Sequence, residues 1–121
     1  MSTPPLATLT IRGGPHEGET FPLREGTSVM GRSPENEIVV DEDGVSRRHA
    51  EIRGDADGFW VTDLDSRNGT FVNNKEVGTT PHRLRHLDRI ELGGMTINTF
   101  WVFREIGGTV QIPRPSRLIG G

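Results

Sequence analysis

The sequence predicts an all-β fold, either a sandwich or a barrel of short strands. Apolar and polar residues alternate in short segments, and turn residues interrupt these segments every roughly 8–12 residues, a spacing typical of such folds. Glycine accounts for 16 of the 121 residues, well above its average share of roughly 7%, which fits a chain with many turns. No window shows the apolar period of an amphipathic helix.

Each predicted strand ends at a turn signal. The first segment alternates from Leu9 and stops at a Gly-Gly-Pro turn. The second contains Pro22, which has no backbone donor and therefore favours an edge strand or a strand start. The last segment is the longest apolar stretch and is rich in β-branched and aromatic residues. In order, the predicted strands are 6–11, 20–23, 28–30, 37–40, 49–53, 59–64, 70–72, 89–92 and 95–106.

The chain is long enough for one domain with a core and too short for two domains of typical size. We expect that domain to span residues 6–106. Residues 1–5 are expected to form a flexible lead-in. Residues 107–121 contain two prolines and few apolar side chains, which predicts a flexible Gly/Pro tail or linker. Whether the chain is a stand-alone protein or the binding domain of a larger one stays open at this point.

Charge and composition argue against several functions. The 14 Lys and Arg against 17 Asp and Glu give a net charge of −3, whereas a duplex nucleic-acid binder is usually basic. No apolar run approaches the ~18 residues of a membrane span, and the first residues lack a signal-peptide pattern. The absence of cysteine excludes disulfides and thiolate metal sites and fits a cytoplasmic protein. We therefore expect no nucleic-acid partner, no membrane partner and no cofactor.

Three short motifs supply the parts of an anion-binding site. They are Gly31-Arg32, Ser46-Arg47-Arg48-His49 and Ser66-Arg67-Asn68-Gly69-Thr70. Together they offer forked guanidinium groups, a hydroxyl, loop amides and glycines that let the backbone come close. Phosphate recognition needs such donors to converge from separate loops. Only Lys75 among the 14 cations is a lysine, and arginine is the residue that holds phosphate through two parallel hydrogen bonds.

Each motif also has a simpler interpretation. Arg32 alone could form a surface ion pair. Ser46 and His49 could suggest a nucleophile and its base, but the sequence contains no oxyanion-hole motif or nucleophile elbow. His82 and His86 have a metal-ligand spacing for a helix, yet the residues between them alternate like a strand. The sequence therefore predicts a protein that is not an enzyme and has no metal site.

Taken in order, the motifs resemble those of the forkhead-associated (FHA) domain family. Gly31-Arg32, Ser46 to Ala50, and Asn68-Gly69-Thr70 with Asn73 carry the resemblance. The runs 36–40, 60–66 and 90–93 match the family pattern between and after them, and the likeness covers residues 6–106. It implies a two-sheet antiparallel β-sandwich of about eleven strands with its recognition loops at one end. It also implies binding of phosphothreonine peptides rather than catalysis.

The resemblance assigns roles to individual residues. Phosphate contacts are expected from Arg32, Ser46, Arg47 and Arg67. Asn68 is expected to hold the peptide main chain, and the binding loops are expected to be supported by Gly31, His49, Gly69 and Asn73. The chain departs from the family pattern at two positions. Arg67 stands where a threonine or serine is common, and Leu87 stands where glycine is usual.

We therefore predict a phosphothreonine-dependent module that recruits partners in Ser/Thr kinase signalling. The expected partner is a Thr-phosphorylated protein, and a Ser/Thr kinase or its substrate is a candidate. The alternative is a degenerate FHA-like scaffold that binds protein surfaces without phosphate. We expect a monomer, with phosphorylation-dependent self-association through Thr3 or Thr109 as an open alternative.

Overall fold

The computed structural model describes residues 5–95 and 98–106, and their strands form two β-sheets. The predictions for the lead-in, for the tail and for self-association through Thr3 or Thr109 fall on residues 1–4 and 107–121, outside the described residues. The strands are β1 (Ala7–Arg12), β2 (Thr20–Leu23), β3 (Gly26–Gly31), β4 (Ile38–Val39), β5 (Ala50–Asp55), β6 (Gly58–Asp63), β7 (Thr70–Val72), β8 (Lys75–Glu76), β9 (His82–Arg83), β10 (Arg89–Leu92) and β11 (Phe100–Glu105).

The strands form a six-stranded sheet and a five-stranded sheet. The first has the order β2-β1-β11-β10-β7-β8, and the second has the order β4-β3-β5-β6-β9. The predicted all-β sandwich of about eleven strands is thus confirmed. Every pair is antiparallel except β3 and β4, which run parallel with Met30 opposite Ile38. The described residues contain no helix, and hence none long and apolar enough to cross a membrane.

Inward-facing side chains of both sheets make the core. In β1 the buried positions are Ala7, Leu9 and Ile11, which alternate with partly exposed threonines. The rings of Phe59 and Phe103 meet edge to face across the two sheets with centroids 5.6 Å apart. Burial of each large apolar side chain stabilises the fold by about 1.5–3 kcal/mol relative to leaving it exposed. The core therefore holds the two sheets together although the chain has few apolar residues.

Strand register brings the three sequence motifs to one end of the sandwich. Met30 at the end of β3 lies opposite Ala50 at the start of β5. Ala50 in turn lies opposite Asp63 at the end of β6. Residues 32–49 and 64–69 therefore leave and enter the sheet at neighbouring points. Thr70, which opens β7, lies opposite Leu92, so the turn after β10 joins the same end.

Candidate anion-binding site

A polar cavity of about 280 Å³ lies at this end of the sandwich. It contains all four predicted phosphate-binding residues, Arg32, Ser46, Arg47 and Arg67, together with Asp43, Gly44, Val45 and Arg48. We call this space the anion cavity. Within residues 5–95 and 98–106, none of its four arginines forms an ion pair. Among the residues that line the cavity, Asp43 carries the only carboxylate.

Arg32 is anchored at the end of β3, while the tip of its guanidinium makes no hydrogen bond with a described residue. Its backbone N–H donates to the Ser46 carbonyl at 2.9 Å, and its Nε donates to the Val45 carbonyl at 3.1 Å. The two terminal nitrogens have no partner among the described residues. Because Nε is already held, the guanidinium is oriented before any ligand arrives, and both terminal nitrogens can donate to one anion.

Ser46 links two loops through its side chain. Its Oγ accepts a hydrogen bond from the Arg67 backbone N–H at 3.0 Å. A hydroxyl has one proton and two acceptor lone pairs, so this bond uses a lone pair and leaves the proton available. Ser46 can therefore hold Arg67 at the cavity and donate to an anion at the same time.

His49 is buried and connects the loops from below. Its Nδ1 accepts the Ser46 backbone N–H at 3.1 Å, so the ring proton must lie on Nε2, which donates to the Gly69 carbonyl at 2.7 Å. Both ring nitrogens are thus engaged with the backbone. His49 can take no proton from Ser46 Oγ in this arrangement, which removes the geometry that a serine hydrolase would need.

Two glycines are required by close backbone packing and backbone conformation. A side chain at Gly31 would come within 2.2 Å of the Arg47 carbonyl oxygen. That carbonyl is also held by the Ser33 N–H and by Asn36 Nδ2 at 2.7 Å. Gly69 has a φ of 85°, which L-residues with side chains rarely adopt. Substitution at either glycine would therefore displace a cavity loop.

A buried carboxylate holds the loop that carries Arg67 and Asn68. Asp63 Oδ1 accepts the Ser66 hydroxyl and the Thr70 hydroxyl, both at 2.6 Å, and Asp63 Oδ2 accepts the Ser66 N–H at 3.0 Å. Ser66 Oγ also accepts the Gly69 N–H at 2.9 Å. Burial raises the pKa of Asp63, but the hydrogen bonds from Ser66 and Thr70 outweigh it and hold that pKa below its ordinary value.

Asn68 braces the two sides of the cavity. Its Nδ2 donates to the Gly44 carbonyl at 2.7 Å, and its Oδ1 has no partner among the described residues. The side chain is exposed at the mouth of the loops. One of its two polar ends is therefore already used for the loops, while the other is available to accept a ligand N–H.

Asn73 lies in the β7–β8 turn, away from the other predicted residues. It has a φ of 51°. Its Nδ2 donates to the Asp88 carboxylate at 2.9 Å, and its Oδ1 accepts the Arg89 N–H at 3.0 Å. It joins this turn to the segment before β10, so any support it gives to the anion cavity passes through β7.

Two residues of the site, Arg48 and Asn36, were given no individual role from the sequence. Arg48 lines the cavity, and its charge also lowers the pKa of Glu37, after the larger effect of the Val29 N–H that donates to that carboxylate. Asn36 Nδ2 donates to the Arg47 carbonyl and so holds Arg47 in place. Both residues lie in runs that the sequence singled out, but the sequence does not show the distant residues on which they act.

The turn after β10 also contributes to the site, although the sequence pattern identified it only as the end of a strand. A side chain at Gly93 would come within 1.9 Å of the Asn68 carbonyl oxygen, and Gly44 and Gly94 pack backbone against backbone. The consecutive glycines at 93–94 were the sequence signal that could have indicated this close backbone contact. They let this turn press against both cavity loops.

The fold and site define a two-sheet β-sandwich domain with a basic cavity at one end, and comparisons with known proteins give its family. A family model for the FHA domain matches residues 28–93. The chain belongs to the FHA domain family.

Curated relatives match over most of this chain. The oxoglutarate dehydrogenase inhibitor of Corynebacterium jeikeium is 39% identical over 87 residues, which cover 72% of this chain and 59% of that protein. The glycogen accumulation regulator GarA of Mycolicibacterium smegmatis is also 39% identical over 87 residues, covering 72% of this chain and 54% of that protein. The chain thus spans a little over half the length of these relatives.

Solved structures share the architecture. The FHA domain of FhaA, crystallised with the intracellular domain of Rv3910, superposes with a TM-score of 0.70 at 38% identity, covering 81% of this chain and 99% of that one. EmbR of Mycobacterium tuberculosis, in complex with a low-affinity phosphopeptide, gives a TM-score of 0.71 at 27% identity, covering 84% of this chain and 24% of that one.

Proposed function

We propose that this chain is a phosphothreonine-dependent peptide-binding module that recruits partners in Ser/Thr kinase signalling. The observation that carries the proposal is the anion cavity, where four arginines without ion-pair partners among the described residues surround the Ser46 hydroxyl. A phosphate dianion supplies the charge and acceptor oxygens that such a set of donors requires.

The cavity offers a specific division of contacts. The terminal nitrogens of Arg32 and the proton of Ser46 Oγ would bind the phosphate oxygens, with Arg47 and Arg67 closing the sides. Hydrogen bonds to a charged group are worth about 1.5–3 kcal/mol each. Two or three of them, formed by donors that are already oriented, are enough for recognition of a short peptide.

The free Oδ1 of Asn68 would accept an N–H of the peptide main chain beside the phosphothreonine. This contact places the peptide across the mouth of the cavity, where Asn68 bridges to Gly44. Gly31, His49 and Gly69 contact no ligand in this scheme. These three residues hold the loops that form the binding site, whereas Asn73 can support the site only through β7.

Family membership and the relatives support binding rather than catalysis. The matched relatives are named as an inhibitor and a regulator, and the EmbR structure holds a phosphopeptide. The engagement of both His49 nitrogens is consistent with this function. We propose that the module is residues 6–106, a monomer in the cytoplasm, and that its partner is a Thr-phosphorylated protein.

The alternative is an FHA-like scaffold that binds protein surfaces without phosphate. Such a scaffold would have no reason to keep an oriented Arg32, a Ser46 with a free proton and an Asn68 with a free oxygen. The three residues are present and converge, which favours the phosphate-dependent function.

The test is binding of a phosphothreonine peptide library against its dephosphorylated copy. We expect retention of the phosphorylated library only. In a peptide selected this way, Arg32→Ala and Ser46→Ala should each weaken binding by about tenfold or more, from the loss of charge-assisted hydrogen bonds. Arg104→Ala, an exposed arginine in β11 outside the anion cavity, is the matched control and should bind normally. Binding unchanged in both cavity variants would overturn the site.

A further inference from the structure

A second cavity, of about 420 Å³, opens at the edge of the sandwich. It lies between the edge strand β2 of one sheet and the edge strand β4 of the other. Its apolar lining comes from Ile11, Phe21, Val39, Met95 and Trp101. We call it the edge cavity. Its volume falls in the range of about 300–1,000 Å³ that is usual for ligand pockets.

Two residues that line the edge cavity carry buried polar atoms without a hydrogen-bond partner among the described residues. Trp101 is 1% exposed and Thr99 is 7% exposed. Trp101 Nε1 and Thr99 Oγ1 make no hydrogen bond with any described residue. A buried indole N–H can only donate, and buried polar groups in folded proteins are almost always hydrogen-bonded. Both atoms are themselves closed to solvent, so they mark imperfect polar packing behind the cavity wall.

The rim of the edge cavity is acidic where the anion cavity is basic. Glu19, Asp41 and Glu42 lie at the rim, together with His16, whose Nδ1 is 2.7 Å from the Glu19 carboxylate. Asp41 is exposed and forms no ion pair with a described residue. An apolar side chain accompanied by a lysine or arginine would suit this combination of lining and rim.

One short segment forms a wall of both cavities. Val40, Asp41 and Glu42 line the edge cavity, and the next three residues, Asp43, Gly44 and Val45, line the anion cavity. A single extended ligand that crosses residues 40–45 would therefore meet both. Its phosphate would enter the basic cavity and its apolar and cationic residues the acidic-rimmed one.

We propose that the edge cavity is a second binding site for the same phosphothreonine-bearing partner, taking an apolar side chain flanked by a lysine or arginine. The inference rests on the proposed function, because the phosphothreonine fixes the partner beside the edge cavity. The edge cavity thereby adds selectivity for sequence beyond the phosphothreonine.

The test uses a phosphothreonine peptide library that is randomised on both sides and selected on three proteins. Val39→Arg fills the mouth of the edge cavity with a cation, and Val39→Thr keeps the branched shape and is the matched control. Val39 is 44% exposed on an edge strand, so neither change disturbs the core. A five-residue phosphothreonine peptide with capped ends and only glycine around the phosphothreonine offers the edge cavity no apolar or cationic side chain, so it reports on the anion cavity alone.

We expect the wild type and Val39→Thr to enrich peptides with an apolar residue next to lysine or arginine, and Val39→Arg to lose that enrichment. The best enriched peptide should bind Val39→Arg at least tenfold more weakly, while the short peptide binds all three proteins equally. In NMR titrations of the wild type, that enriched peptide should shift the Trp101 indole N–H signal. The short peptide should not, and Trp60, the other tryptophan, is the internal reference.

Identical enrichment on Val39→Arg, or an unmoved Trp101 signal, would overturn the second site. Failure of the wild type to bind the short peptide would instead refute the proposed function and remove the premise of the inference. Equal weakening of short and long peptides by Val39→Arg would show a disturbed anion cavity and would also count against the proposal.

Discussion

Ser46 combines a structural role with the proposed ligand-binding role in one hydroxyl. Its oxygen accepts the Arg67 N–H, and its backbone N–H donates to His49. The remaining donor is the hydroxyl proton, and Ser46 lines the anion cavity together with Arg32. The residue types at such positions are visible in sequence, whereas the hydrogen bonds that orient them are not.

Arg67 replaces the small hydroxyl that the family resemblance leads one to expect. The side chain is exposed and lines the anion cavity. Arg67→Ser should weaken phosphopeptide binding about two- to fivefold, the size of an exposed charge interaction. The effect should shrink in high salt, because the screening length falls from about 10 Å at 0.1 M to about 3 Å at 1 M.

Calorimetric titration of Arg67→Ser at both salt concentrations, beside Arg104→Ser, measures this contribution. A loss of equal size at both concentrations would contradict a screened charge and indicate a desolvated contact. No loss at either would mean that Arg67 points away from the phosphate.

Leu87 shows that a departure from the family pattern can carry a conformational cost. Its φ is 72°, in the left-handed region, and its side chain is 51% exposed. An L-residue in that region costs about 1–2 kcal/mol. We expect Leu87→Gly to raise the free energy of unfolding by roughly half to all of that, since little buried area is lost. Urea denaturation gives the value.

Leu87→Ala is the control, because it removes the same exposed side chain and keeps the unfavourable φ. It should give little or no gain. An equal gain for alanine and glycine would show that backbone strain at Leu87 is not the cause.

At the scale of elements, the loop from β6 to β7 is a hydrogen-bonded unit built on Asp63. One buried carboxylate accepts two hydroxyls and an amide, and Ser66 passes the support on to Gly69. The loop therefore presents Arg67 and Asn68 from a fixed base, although both side chains are exposed.

Asp63→Asn should destabilise the fold by about 1–3 kcal/mol at neutral pH, since the new amide N–H₂ group faces donors. The pKa of Asp63 is lowered in the folded state. Its stabilisation is therefore complete above the ordinary aspartate value of about 4 and is lost as pH falls through the lower folded value. The wild type should lose stability in that acidic window.

Denaturation curves at neutral pH and at two acidic pH values test this assignment. Asp63→Asn should lose less stability at acidic pH than the wild type does, because the part of the loss that comes from protonation of this carboxylate is absent. Asp65→Asn, an exposed carboxylate in the same loop, is the control and should follow the wild type. If Asp63→Asn lost as much stability at acidic pH as the wild type, Asp63 would be excluded as the source of that loss.

Strands with an alternating core face were predictable, and strands without one were not. The alternation in β1, β5 and β6 follows directly from one buried face. Both residues of β8 and of β9 are exposed, so no apolar pattern marked them. The apolar stretch at 95–106 was longer than β11, which begins at Phe100, because Met95 belongs to the turn after β10.

At the scale of the whole molecule, the site depends on contacts between distant parts of the chain. The order of the motifs indicated the family, and the residue types indicated the anion. The parallel pairing of β3 with β4, and the contact of Gly44 with Gly94 across 50 positions, depend on the packing of two sheets. No local pattern encodes either one.

The charge distribution is the other property of the whole molecule. The chain carries a net charge of −3, yet four arginines gather in one cavity and carboxylates rim the next. Repulsion by the overall charge disfavours polyanions such as duplex DNA, while the local arginines favour a single phosphate on a peptide.

The central claim is tested most directly by calorimetric titration of one selected peptide in three forms, with phosphothreonine, phosphoserine or unmodified threonine. We expect the phosphothreonine form to bind most tightly and the unmodified form not to bind measurably. The phosphoserine form should be weaker by more than the roughly fourfold that one buried methyl explains, because the threonine rotamer is also restricted. Equal affinity for the phosphorylated and unmodified forms would contradict phosphothreonine recognition by this cavity.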